Sequence, residues 1–263
     1  MSSIVRPTPA QRTRRIAVLA AALFAVAVPL IQNITGVGLS QAEFAQDGNS
    51  TLRVEGYAFS IWGLLYFGIL AYAIRQVLPS TGESTLINRL GFASIISFLG
   101  IGLWIITAAL DMKVASVFVI FVSLLALLVP LLVYSRSVRA VRPLDPERTM
   151  LIWPLAALTG WLTVAAPLNL ITTLTATNSL APGLSPAGWA VVAIVGTTII
   201  ALIVTWALKT FAYPLPVAWG LLGAFVAELP GKPTVGFTAL GAALVLVVAS
   251  VIMVFRLRSG VER

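Results

Sequence analysis

Cysteine and histidine are both missing from the 263 residues. Their absence excludes disulfides, thiolate or imidazole metal sites and the commonest haem axial ligands. It also excludes a Ser-His-Asp or Cys-His nucleophile. Charge is scarce too, at 10% of residues against about 25% in a soluble domain. No Asp, Glu, Lys or Arg falls in the middle of any long apolar run, where ion-coupled carriers, proton relays and voltage sensors generally need one. Lys209 stands at the edge of its run, which disfavours a retinal Schiff base.

What is present is apolar: 59% hydrophobic residues and a mean hydropathy of +1.00. Apolar runs recur along the chain, mostly beyond the ~18 residues that suffice for a helix across a hydrocarbon core about 30 Å thick. The expected fold is all-α, a polytopic membrane bundle of about eight transmembrane helices. The runs cover residues 16–34, 57–78, 90–110, 114–134, 150–174, 187–208, 213–227 and 234–255. Pro79, Ser80, Thr81 and Gly82 break the chain after the second. The basic start (Arg6, Arg12, Arg14, Arg15) and the small residues Ala25, Val26 and Ala27 also suit a signal peptide. The run continues through Val28, Leu30 and Ile31, which favours an uncleaved first helix.

Charge sets the expected orientation. With the N-terminus inside, Arg53, Lys113 and Lys232 fall outside, leaving 17 − 3 = 14 Lys and Arg on the inner side. That is the positive-inside pattern, and it accounts for the formal charge of +8 without a nucleic-acid partner. The expectation is a multi-pass protein of the inner cell membrane with both termini cytoplasmic. The lipid bilayer is then its first partner. Small residues are plentiful enough for a homo-oligomer, although no single seam stands out.

Aromatic residues carry the functional signal. Phe59, Trp62 and Tyr66 share one helical face, better suited to a bundle interior than to lipid because indole N–H and phenol O–H seek partners when buried. Ordinary aromatic packing between helices explains the same spacing. Counting rise along each helix puts Trp62, Trp104 and Asn169 in one layer, with Trp161 roughly 12 Å deeper as the floor of a cavity. Pro154 and Pro167 in the fifth helix are expected to kink it and free carbonyls. Trp153, Trp189 and Trp206, near helix ends, read as interfacial belt residues. Residues 35–55 form the longest loop, of a length that usually makes a lid.

These residues carry a resemblance. Gly-Tyr57-Ala-Phe59-Ser-Ile-Trp62-Gly-Leu-Leu-Tyr66 is similar to the Phe-x-x-Trp-x-x-x-Tyr signature of the TspO/translocator-protein family, the tryptophan-rich sensory or peripheral benzodiazepine receptor-like proteins. Trp161 followed eight residues later by Asn169 resembles the end of that family's fifth helix, and Trp104 matches on the third. Val54, Glu55 and Gly56 stand in place of the family's paired prolines, and Ile101 in place of its Asn. No sterol-recognition pattern follows Asn169. The likeness divides the chain into a tail (1–14), a TspO-like five-helix core (15–178) and an additional three-helix unit (179–263).

The resemblance implies a sensor or receptor for a flat apolar ligand, tetrapyrrole-like or another apolar small molecule. Its ligand-binding residues would be Tyr57, Phe59, Trp62, Tyr66, Trp104 and Trp161, with Asn169 as polar anchor. Two other classes remain open: a transporter of small neutral or apolar solutes not coupled to ions, and a porphyrin-degrading enzyme. The sequence shows no acid–base pair for the latter, so no catalytic residue, metal ligand or cofactor is assigned.

Overall fold

The computed structural model describes residues 7–78, 81 and 84–256. The breaker residues Pro79, Ser80 and Gly82, and Arg6, Arg258 and Arg263, lie outside the described residues. Ten α-helices follow one another among those described. They are α1 (Pro9–Thr35), α2 (Gln41–Gln46), α3 (Ile61–Val77), α4 (Thr85–Ala109) and α5 (Lys113–Val133), then α6 (Ser135–Ala140), α7 (Trp153–Ala176), α8 (Pro186–Leu208), α9 (Pro214–Glu228) and α10 (Pro233–Arg256). A 3₁₀ turn, Gly56–Ser60, leads into α3, and a π-turn, Arg148–Ile152, leads into α7.

Seven of these helical segments are long and apolar enough to cross a membrane, so the protein is a multi-pass helical bundle. The seventh expected span is the exception. At 15 residues α9 is about 22 Å long, short of the hydrocarbon thickness. Its start is sunk into the bundle: the Tyr213 carbonyl lies where a Cβ on Gly160 of α7 would come within 2.0 Å of it. Only glycine permits that approach. The Tyr213 hydroxyl shares a 2.9 Å hydrogen bond with Thr163, and Thr210 and Tyr213 are buried. The α8–α9 turn is therefore packed inside the bundle, with the Tyr213 hydroxyl bonded to protein.

Helix starts also differ from the apolar runs, because caps rather than hydropathy place them. Thr8 and Gln11 form a capping box, so α1 begins well before Ile16. Ser84 caps α4, accepting from the Ile87 N–H, so the helix starts at Thr85, five residues before the expected residue 90. Pro154 sits in the first turn of α7, where proline is tolerated, so Pro167 alone lies within that helix.

The helices alternate between two ends. At the basic end the Arg15 guanidinium, buried, donates to the Thr81 carbonyl and hydroxyl at 2.8 and 3.2 Å. Gln76 in turn donates to the Arg15 carbonyl at 2.7 Å, tying α1 to the end of α3. At the opposite end lie residues 36–55, which contain α2. Of all the spans α7 is the most buried, packing against α3, α5, α8 and α9. Most side chains on it therefore face protein, Trp153 at its start being exposed.

Candidate functional site

The loop end of α3, α4 and α7 builds an aromatic cluster. Trp62 and Tyr66 stand four residues apart on α3 and stack with centroids 5.2 Å apart. Trp62 lies nearly parallel to Trp104 of α4 at 6.4 Å and edge-on to Trp161 of α7 at 6.2 Å. Phe59, from the 3₁₀ turn, meets the same Trp161 ring edge-on at 6.2 Å. Offset and edge-to-face contacts at these distances suit the ring quadrupoles. Five of the seven residues singled out from the sequence thus touch in one chain of rings.

Asn169 joins them through a hydrogen bond: the Trp104 indole N–H donates to its Oδ1 at 3.3 Å. Its amide donates to Ser116 Oγ of α5 at 3.0 Å, and the Ser116 hydroxyl donates to the Lys113 carbonyl at 2.6 Å. Tyr57 is not brought in. It is exposed and packs edge-on against Trp219 of α9 at 5.5 Å. Trp161 is no remote floor either. The expected depth counted only rise along α7, whereas the Trp62 ring reaches far enough to touch both Trp104 and Trp161.

Open space lies on the α1 side. A cavity of about 530 Å³ between α1 and α3, beneath α2, is lined by Pro29, Asn33, Gln41, Phe59, Trp62 and Tyr66, among others. Volumes of ~300–1,000 Å³ are typical of small-molecule sites. A second void of about 20 Å³, touching Phe44, Phe59, Trp104, Trp161 and Asn169, has room for about one water. Several polar atoms around these spaces are buried without a hydrogen-bond partner among the described residues. They are the indole nitrogens of Trp62 and Trp161, the Tyr66 hydroxyl, Gln41 Oε1 and Thr172 Oγ1.

The cover is strapped from both sides. Ser40 and Glu43 form a capping box on α2. The Ser40 N–H, and then its hydroxyl, hold the Glu43 carboxyl below the usual carboxylate range. Gln32 of α1 donates to the Leu39 carbonyl at 2.7 Å, and the Leu39 N–H to the Ala109 carbonyl of α4 at 3.0 Å. Lys113 of α5 pairs with Asp47 at 2.6 Å and with Asp111, and lies over the Phe44 ring.

On the other side, Glu228 of α9 accepts from the Arg53 N–H at 2.7 Å and pairs with Lys232 at 2.7 Å. Lys232 donates to the Asn49 and Thr51 carbonyls, each at 2.8 Å. The Trp219 indole donates to the Ala58 carbonyl at 2.9 Å, and the Glu55 N–H to the Gly223 carbonyl at 3.1 Å. Glu228 is not among the residues that the sequence singles out, and this clamp was missed. The i, i+4 pairing of Glu228 with Lys232 was its one visible trace.

Comparison with known proteins agrees with this architecture. No match was found among curated proteins or solved structures. A family model described as TSPO-like protein matches residues 15–252, running past the five-helix likeness and through α8, α9 and most of α10. A match over nearly the whole bundle shows the family, and the chain belongs to the TSPO-like proteins.

Proposed function

We propose that this membrane protein is a sensor or receptor whose ligand is a flat apolar molecule, tetrapyrrole-like by family analogy. The ligand lies beside Phe59, Trp62 and Tyr66, with Trp104, Trp161 and Asn169 behind them. The observation that carries this reading is a roomy cavity walled by aromatic groups whose N–H and O–H are buried without partners. Buried polar groups normally find partners, so side chains on this wall that lack one favour a site that rearranges around a ligand over a finished core.

In this reading the loop end faces away from the cytoplasm and the arginine-rich end faces it, in the inner cell membrane, by the positive-inside rule. Residues 15–178 hold the ligand. The additional unit that begins at residue 179 steadies the cover through Glu228 and Lys232.

Titrating purified protein in detergent with protoporphyrin tests the reading through quenching of tryptophan emission. Trp62→Ala is expected to weaken the apparent affinity at least ten-fold, or about 1.4 kcal/mol. Quenching that saturates unchanged in Trp62→Ala removes Trp62 from the site. No saturable quenching in the native protein ends the receptor reading for tetrapyrroles.

A further inference from the structure

The cavity's electrostatics narrow the class of ligand further, given the receptor reading above. Every polar group on its wall is neutral: Gln32, Asn33, Ser40, Gln41 and Ser60 accompany the Trp62 indole and Tyr66 phenol. Among the described residues, no Lys or Arg lines either void. The cations at this end are engaged elsewhere. Lys113 holds Asp47 and Asp111, Lys232 holds Glu228, and the Arg53 guanidinium donates to the Ala227 carbonyl at 3.0 Å.

The surrounding charge has the opposite sign. Glu43, Asp47, Glu55, Asp111 and Glu228 outnumber Arg53, Lys113 and Lys232 at the loop end, five against three, for a net of 3 − 5 = −2. Glu43 stands at the cavity's rim, its carboxylate bonded to the N–H of the lining residue Ser40. A carboxylate binding in this open-sided space would find no cation and would approach a negative rim. Burying a charge without such a partner is strongly unfavourable.

The unpartnered groups ask for something else. An indole nitrogen donates and does not accept, and two of them, on Trp62 and Trp161, are buried and unbonded, with the Tyr66 hydroxyl beside them. Trp62 lines the cavity and Trp161 the small void behind it, and the two rings meet edge-on at 6.2 Å.

We infer that the site selects an uncharged flat molecule carrying neutral acceptor atoms, such as ester or ketone carbonyls, over the same skeleton bearing carboxylates. The cavity thereby distinguishes the esterified or otherwise neutral form of a tetrapyrrole-sized ligand from its free acid.

Protoporphyrin IX and its dimethyl ester share one ring and differ in two charges and two methyl groups, and they provide the probe. Binding to the full-length protein in neutral detergent at pH 7.5 is read from the Soret band, with each affinity corrected for partition into protein-free micelles. The ester is expected to bind at least ten-fold more tightly than the diacid. Trp62→Phe and Trp161→Phe keep a ring and lose the donor, and at least one should lower ester affinity five-fold or more while eluting as a native monodisperse species. Equal or tighter binding of the diacid overturns the inference and leaves the receptor reading standing. So does unchanged ester affinity in both variants. Binding of neither porphyrin removes the receptor reading, and this inference with it.

Discussion

The carboxylate of Glu228 accepts a 2.7 Å hydrogen bond from the backbone N–H of Arg53, although 175 residues separate them. That contact is the charged member of a set joining the cover of the cavity to the last helices of the bundle. Glu228 is 1% exposed, and Lys232 completes its charge pairing from one turn beyond. Replacing Glu228 with Ala leaves the Arg53 N–H without its acceptor and Lys232 without its counter-charge. Hydrogen bonds to charged groups are worth about 1.5–3 kcal/mol, so a loss of about 2 kcal/mol is expected. Glu228→Gln keeps an acceptor for Arg53 and should cost less. Hydrogen exchange of residues 49–55 is the direct measure: faster in Glu228→Ala, intermediate in Glu228→Gln, and unchanged across α4.

Asn169 supports a second prediction, because it completes a relay from Trp104 through Ser116 to the Lys113 carbonyl. Asn169→Leu removes both of its bonds while approximating its volume. The Trp104 N–H is then buried without an acceptor, at a cost of about 1–3 kcal/mol. Thermal unfolding in detergent should show the loss, and the tryptophan emission maximum should move as one indole loses its hydrogen bond. Ser116→Ala breaks only the lower link and should cost less.

The spanning architecture was legible because lipid allows few solutions. Long uncharged runs must be helices, and the bias of arginine toward one end reports their alternation. The inward turn of Trp62 was legible from its place among Phe59 and Tyr66 on one helical face. The level of Trp161 was not, since rise along α7 says nothing of how far the Trp62 ring reaches. The run at 213–227 looked like one more span, yet its entry depends on Gly160 admitting the Tyr213 backbone, a contact between distant segments. Nor does spacing along the chain reveal Arg53 against Glu228.

Gly160 and Gly63 make opposite predictions. A Cβ at position 160 would lie 2.0 Å from the Tyr213 oxygen and 3.0 Å from its carbonyl carbon, both backbone atoms that cannot rotate away. Gly160→Ala must push α7 and α9 apart, with a cost of about 3 kcal/mol or more as for severe overpacking. A Cβ at Gly63, within α3, meets nothing within 4 Å. Gly63→Ala should therefore be neutral or stabilising by up to about 1 kcal/mol, the ordinary gain of Ala over Gly in a helix. Thermal stability of the two variants side by side decides the matter. Equal stability would mean that the α7–α9 approach is looser than described.

Acid should loosen the cover through Glu43. Its carboxylate accepts from the Ser40 N–H at 2.7 Å at the start of α2, and that bond keeps its folded pKa below the ordinary value. A group with a lowered folded pKa stabilises the fold above its unfolded pKa, about 4.3 for Glu. That contribution fades as pH falls from there through the lower folded value. Hydrogen exchange at residues 40–46, compared with α4 at each pH to remove intrinsic rate changes, should accelerate below about pH 4.3. Glu43→Gln cannot titrate at this position and should flatten the profile, while Ser40→Ala, which keeps the N–H bond but loses the hydroxyl, should retain part of it. An unaltered profile in Glu43→Gln would remove Glu43 as the source of the acid sensitivity.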